Sequence, residues 1–307
     1  MKKKVIFIVG PTAVGKTACA ASLAVKLKGE IVSCDSMQVY TGMDIISSKA
    51  GKALRKKISH HLLDIVSVEK EYNVSQYRAA ALKVIKKILA HDRVPIFVGG
   101  TGLYMTILID GIFKEKGENP EIRGRLYEES KKLGSAFLHE RLSKVDPDAA
   151  VKIHPNDAKR IIRALEVFEA TGKPISLLQK NRHGLADTYD VRVFCLNKQR
   201  EKLYQRIDER VESMFDQGLI NEVRSLLALK LSKTAACAIG IKELKDHFGG
   251  LCSLDEAKAL MKKNSRNYAK RQLTWFRKDK RIHWVEIGDD EKPSQVASRI
   301  MKELNPK

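Results

Sequence analysis

The sequence predicts an α/β fold: a parallel sheet with helices on both faces, joined to a helical insertion. Three observations predict it. Short apolar runs at Val5 to Val9, Ile31 to Ser33, Pro95 to Val98, Val191 to Leu196 and Ile282 to Glu286 alternate with longer stretches of helical period. Such alternation is the pattern of parallel strands buried on both faces. The first run leads directly into Gly10-Pro11-Thr12-Ala13-Val14-Gly15-Lys16-Thr17 and then a helix-favouring segment, Ala18 to Leu27. Between about Gly111 and Tyr189 the strand signal disappears and charged, helix-like sequence replaces it.

In chain order, the first of these elements is a phosphate-binding loop in a P-loop NTPase-like setting. Glycine at positions 10 and 15 lets the backbone curl so that successive N–H groups face phosphate oxygens, while the following helix presents its positive end to the same anion. Lys16 adds a point charge, and the Thr17 hydroxyl suits Mg²⁺. Gly10, Pro11, Thr12, Ala13, Val14, Gly15, Lys16 and Thr17 are therefore the phosphate-binding candidates, with Thr17 the metal candidate. ATP, GTP and a prenyl diphosphate offer this loop the same oxygens.

Further along, His61 to Ile65 reads as an additional strand. Asn119-Pro120-Glu121 has the order of an N-cap, an N1 proline and an acidic first turn, so a helix opens there. A second helix starts near Asp157, carries the apolar stripe Ile161, Leu165 and Phe168, and stops at Thr171-Gly172-Lys173-Pro174. Leu203, Ile207, Val211, Met214 and Phe215 have helical spacing, predicting one helix from Glu201 to about Leu229, or two joined near Gly218. From Leu254 to Lys278 another helix carries eight basic residues, interleaved with Tyr268, Trp275 and Phe276. A short polar helix and a frayed end follow Gly288. Two domains result: residues 1–110 with 190–307 form an α/β catalytic core with C-terminal helices, and residues 111–189 a helical insertion.

The chain has 307 residues, and 57 Lys and Arg against 37 Asp and Glu leave a formal charge of +20. A field of that sign favours a polyanionic partner, most often nucleic acid. Cys19, Cys34, Cys195, Cys237 and Cys252 are scattered without a Cys-x-x-Cys pair, so they are expected to be reduced and mostly buried. Only five apolar residues follow the basic start before Gly10, too few for a signal peptide, and no segment is long enough to span a bilayer. A cytoplasmic monomer with no membrane partner is expected.

In open parallel sheets ligands bind beyond the carboxyl ends of the strands. Three segments should meet there: the P-loop, Asp35-Ser36-Met37-Gln38, and Gly99-Gly100-Thr101-Gly102-Leu103-Tyr104. Asp35 is placed to bind a metal or orient a substrate. The third strand ends in Gly-Gly-Thr where an ordinary ATPase has an aspartate, and Thr101 offers one hydroxyl instead. These residues alone fit a small-molecule kinase, and the charge alone fits a noncatalytic RNA-binding ATPase.

The P-loop, Ser33 to Tyr40, Gly42-Met43-Asp44-Ile45, His61-Leu62-Leu63-Asp64 and Gly99 to Tyr104 together resemble the tRNA dimethylallyltransferases, the prenyltransferases of the anticodon loop. The resemblance continues through Asp146-Pro147, Ile153 to Asp157, Lys159 to Val167, Thr171 to Pro174 and Lys270 to Trp275, so it covers nearly the whole chain. No C-terminal Cys/His finger is present, which points to the bacterial type. The resemblance implies dimethylallyl diphosphate as the P-loop's ligand and co-substrate, Mg²⁺ as the metal, and N6 of the adenosine 3′ of the anticodon as acceptor. It implies Asp35 as general base, Thr101 beside diphosphate and acceptor, and Arg210, the second arginine of Arg206-Ile207-Asp208-Glu209-Arg210, on the diphosphate. It implies tRNA contacts from Asp35, Ser36, Met37, Gln38, Thr101, Arg123, Lys159, Arg160, Ile161, Ile162, Arg163, Arg266, Lys270 and Arg271. The acceptor base must then leave its stack to reach the crevice. Tyr40, Tyr104 and Trp275 have rings that suit base stacking, with core packing the reading preferred. One departure is Ile241, where related sequences often carry tyrosine.

Overall fold

The computed structural model describes residues 2–113 and 119–304. The residues group into two compact units, Met1–Ile109 with Thr188–Lys307, and Asp110–Asp187.

The first unit is built on a six-stranded sheet: β1 (Lys4–Val9), β2 (Gly29–Ser33), β3 (His60–His61), β4 (Val94–Gly99), β5 (Asp190–Asn197) and β6 (Ile282–Glu286), in the order β3-β2-β4-β1-β5-β6. Every pairing is parallel, with Ile6 opposite Ile96 on one side of β1 and Arg192 on the other. The apolar runs become strands because both faces are covered: Val5, Ile6, Phe7, Ile8, Ile96 and Phe97 are fully buried, and Phe7 stacks on Phe97 at 4.7 Å. Parallel order also brings the carboxyl ends of β1, β2 and β4 to one edge of the sheet.

One sequence expectation changes, and for Glu201 to Leu229 the second of the two expected arrangements is found. The strand expected over His61 to Ile65 is confined to His60–His61, because Leu62 and Asp64 adopt φ of 60° and 56°, which ends an extended backbone. Ile65 N–H then bonds Val39 O at 2.8 Å, in the loop after β2. The stretch from Glu201 to Leu229 is two helices, Arg200–Asp216 and Leu219–Leu227, broken at Gly218 with φ of 98°. The late basic helix runs Leu254–Phe276, opened by a capping box in which Ser253 and Glu256 bond each other's backbone N–H. After Gly288 comes the helix Pro293–Leu304, and the expected frayed end at 305–307 lies outside the described residues.

The second unit is helical. Asn119 caps Pro120–Leu133 by accepting from the N–H groups of Glu121 and Ile122, and Asp157 caps Ala158–Thr171, which ends at left-handed Gly172. Leu126, Leu138, Leu142, Ile161, Ile162 and Leu165 form its core. Among the described residues no helix is long and apolar enough to cross a membrane.

Candidate active site

The carboxyl ends of β1, β2 and β4 surround a cavity of about 790 Å³ lined by Thr12, Lys16, Thr17, Asp35, Arg206 and Arg210. Lys16 follows left-handed Gly15, opens the Lys16–Leu27 helix, and donates from Nζ to Pro11 O at 2.7 Å. Burial, and then the charge of Arg210, lower its pKa from 10.5 to about 8, with Asp35 acting the other way. Arg210 projects from the Arg200–Asp216 helix, donates from Nε to Ser48 Oγ at 2.9 Å, and donates from Nη1 to the Thr12 hydroxyl. Burial pulls its pKa below the ordinary value while Asp35 pushes it back. Arg206, one turn earlier, lines the same cavity and reaches the P-loop beside Gly15.

Asp35 follows β2, where Oδ1 accepts from Met37 N–H at 2.9 Å in a local turn. Its other oxygen makes no hydrogen bond among the described residues. Thr101 lies beside it because the chains after β2 and β4 touch: a Cβ on Gly99 would sit 1.9 Å from Cys34 O, so only glycine fits there. Thr101 N–H donates to Cys34 O at 3.2 Å, and Thr101 Oγ1 accepts from Ser36 N–H at 3.0 Å. The parallel sheet therefore brings the P-loop and Asp35 to one cavity, with Thr101 bonded to the segment that follows Asp35.

Among the described residues no group of three or more His, Cys, Asp or Glu could hold a metal ion. The Thr17 hydroxyl lines the cavity. Such a donor fits Mg²⁺, which takes one or two protein oxygens and completes its shell with phosphate oxygens and water.

The IPP transferase family model matches residues 38–279. The chain belongs to the IPP transferase family. Its sequence is 47% identical over 287 residues to the tRNA dimethylallyltransferase of Geobacter sulfurreducens, covering 93% of this chain and 92% of that protein. Its structure resembles the tRNA isopentenylpyrophosphate transferase of Bacillus halodurans, with 38% identity, a TM-score of 0.72, and coverage of 99% and 97% of the two chains. It also resembles a eukaryotic dimethylallyltransferase acting on tRNA, with 30% identity, a TM-score of 0.83, and coverage of 99% of this chain and 80% of that one.

This IPP transferase has a second cavity of about 300 Å³ lined by Ser36, Met37, Tyr268 and Arg271. Gln38, also expected at RNA, is half-buried and lines the larger cavity: its Oε1 accepts from Ser33 Oγ at 2.8 Å and its Nε2 donates to Ser47 O at 3.2 Å. On the Leu254–Phe276 helix Lys270 is exposed, Arg266 pairs with Asp208 at 2.6 Å, and Arg271 lies over the Tyr268 ring at 5.7 Å. Tyr40 and Tyr104 are buried, with Tyr104 stacked on Tyr77, so both are core rings; Trp275 is 37% exposed and faces Thr106.

In the second unit Lys159 and Arg160 are exposed. Ile161 and Ile162 are 0% and 1% exposed, which corrects their expected role at tRNA: they are core residues, because the apolar stripe of their helix faces Leu126 and Leu142. Arg123 and Arg163 both bond Glu166, a carboxylate with no exposed surface that also accepts from Asn119 N–H at 2.9 Å. Burial opposes the Glu166 charge, yet the Asn119 N–H and the two arginines hold its pKa below the ordinary value.

Sequence reasoning placed Gln272 only in a tRNA-contacting stretch and missed its tie to the P-loop. This 5%-exposed amide accepts from Thr12 N–H at 2.9 Å and donates to Gly100 O at 3.0 Å, tying the P-loop and the β4 loop to the late helix. A Cβ on Gly100 would lie 2.0 Å from Gln272 Nε2, so the glycine makes room for this tie. The close spacing to Lys270 and Arg271 was the available signal, but it read as a basic RNA-facing segment. Of the cysteines, Cys19, Cys34 and Cys195 are buried with thiols pushed up to about 12 by burial, Cys252 is half-buried, and Cys237 is exposed.

Proposed function

We propose that the chain moves the dimethylallyl group of dimethylallyl diphosphate to N6 of the adenosine 3′ of the anticodon, with Asp35 as base and the P-loop holding the leaving group. That it transfers a dimethylallyl group to a tRNA adenosine follows from its family and close relatives. The observation that carries the finer reading is the single cavity in which Asp35 faces Lys16 and Arg210.

The chemistry needs opposite help at its two ends. An adenine amine is a weak nucleophile because its lone pair is delocalised into the ring. The free oxygen of Asp35 orients N6 and takes its proton as the new C–N bond forms, a contribution on the order of 10² to 10⁴ in rate. At the other end the diphosphate departs with growing negative charge. P-loop N–H groups, Lys16 and Arg210 stabilise that charge as donors already fixed in place. Thr17 would hold Mg²⁺, which would supply further charge stabilisation on the leaving diphosphate. Thr101 fixes the Asp35 loop through Ser36 N–H.

The base must be extruded from the anticodon loop to reach Asp35, at a cost of a few kcal/mol. Exposed Lys159, Arg160 and Lys270 are available to hold stem phosphates. All five cysteines are free, consistent with a reducing cytoplasmic setting, and we assign a monomer, which sedimentation at working concentration checks. The test of the reaction is incubation with an anticodon stem-loop, dimethylallyl diphosphate labelled at C1, and Mg²⁺. Label on N6 of the adenosine 3′ of the anticodon is expected; label elsewhere, or phosphate transfer from ATP without label in RNA, would overturn the proposal.

A further inference from the structure

The two cavities of the first unit meet, and six side chains line both: Thr12, Asp35, Ser47, Arg210, Met214 and Tyr268. Three of these are the groups already assigned to the diphosphate and the acceptor proton. Tyr268 is the aromatic ring at the junction. It stands on the Leu254–Phe276 helix one turn before Gln272, the residue that ties this helix to the P-loop. The Thr101 hydroxyl and the Gln272 amide neighbour its phenol oxygen, and Arg271 covers one ring face at 5.7 Å. Tyr268 is the aromatic side chain that both cavities share.

Resting on the proposed transfer, we infer that Tyr268 is a further catalytic residue, whose ring face offsets the positive charge that develops on the transferred allylic carbon. During transfer the C1–O bond of the donor breaks and its electron pair leaves with the diphosphate. The N6–C1 bond forms, and the N6 proton passes to Asp35. Between those events C1 carries cationic character at the place where donor and acceptor cavities join. An aromatic face attracts such charge through its ring quadrupole, most strongly where water is excluded. Burial, and next the nearby Asp35 charge, raise the phenol's pKa, so the ring stays neutral and its oxygen takes no part as a base. A carboxylate or amide at this point would bond the leaving group or the base; a ring stabilises the carbon between them without competing for either.

The experiment is a series at one position. Tyr268→Phe, which loses the oxygen beside Thr101, sets the reference rate; mono-, di- and trifluorinated phenylalanine at position 268 then drain the ring face of electron density with little change of volume. Single-turnover transfer of labelled dimethylallyl to an anticodon stem-loop is measured alongside RNA affinity, donor affinity and melting temperature. The rate should fall stepwise, by roughly tenfold across the series, while affinities and melting temperature hold. A flat rate overturns the assignment. So does a loss confined to RNA affinity, which would make the ring a stacking platform for the base, or one confined to melting temperature. A wild-type protein that leaves the RNA unlabelled would overturn the transfer reading itself, whereas a flat series in an active protein overturns only the role of Tyr268.

Discussion

Two sets of basic side chains, one in each unit, are held in opposite ways. In the second unit Arg123 and Arg163 converge on buried Glu166, and Arg125 and Arg141 share Glu129 and Glu169. In the first unit Lys16 and Arg210 face a cavity, and among the described residues neither pairs with a carboxylate; their partners are Pro11 O, Ser48 Oγ and the Thr12 hydroxyl. Both arrangements look alike as Lys and Arg counts. A buried cation without a counter-ion is costly, so its presence marks a site where an anion completes the structure. A cation already paired with a buried carboxylate is part of the fold.

The sharpest way to break this comparison is at the residue that faces both unpaired cations. Asp35→Ala should lower single-turnover transfer by about 10² to 10⁴ and leave RNA binding within a few-fold. Binding lost with turnover retained would remove Asp35 from the role of base.

A pH titration sharpens it next. Burial lowers the Lys16 pKa to about 8, and a bound diphosphate raises it. Donor affinity should therefore weaken as pH rises through about 8, and Lys16→Met should bind the donor roughly 10- to 100-fold more weakly with that pH dependence gone. The sign for stability is the reverse. Between about 8 and 10.5 the unfolded chain holds a proton at this lysine that the folded chain has lost, so ligand-free stability gains a contribution as pH rises through that window. The Lys16→Met protein should lack the gain when its melting is followed against pH.

Glu166→Gln should act on the fold. Loss of the carboxylate that binds two arginines and the Asn119 N–H should destabilise the second unit by about 1–3 kcal/mol, read as a lower melting temperature with the C1 transfer rate on bound RNA unchanged. Because the Glu166 pKa is held down, its contribution is present above the ordinary glutamate pKa and is lost as pH falls through the lowered one. The smallest effect belongs to exposed Lys159 and Arg160. Either one changed to Ala should weaken RNA binding evenly across sequences and reduce its salt slope by about one.

What the sequence made legible follows the same division. The P-loop, Asp35 and Thr101 sit at strand ends, where a local motif and the rule for open parallel sheets point to one place, and the structure brings them there. Gln272 and Tyr268 were legible only as part of a tRNA-contacting stretch, not at the cavity, because they reach it from a helix more than two hundred positions away, across contacts that only the folded sheet creates. Ile161 illustrates the reverse error. Its apolar spacing already placed it in a helix stripe, while its neighbours in a basic segment drew it toward RNA; burial in the core decides between them. At His61 to Ile65 the apolar run read as strand, but left-handed Leu62 and Asp64 turn the chain back to the loop after β2.

The most direct test sets one arginine of each kind side by side. Arg210→Ala and Arg123→Ala proteins are titrated with dimethylallyl diphosphate by calorimetry, and their melting is followed without ligand. The account predicts that Arg210→Ala loses donor affinity by about tenfold or more with melting little changed, while Arg123→Ala melts lower with donor affinity intact. Donor affinity retained in Arg210→Ala, or lost in Arg123→Ala, would contradict it.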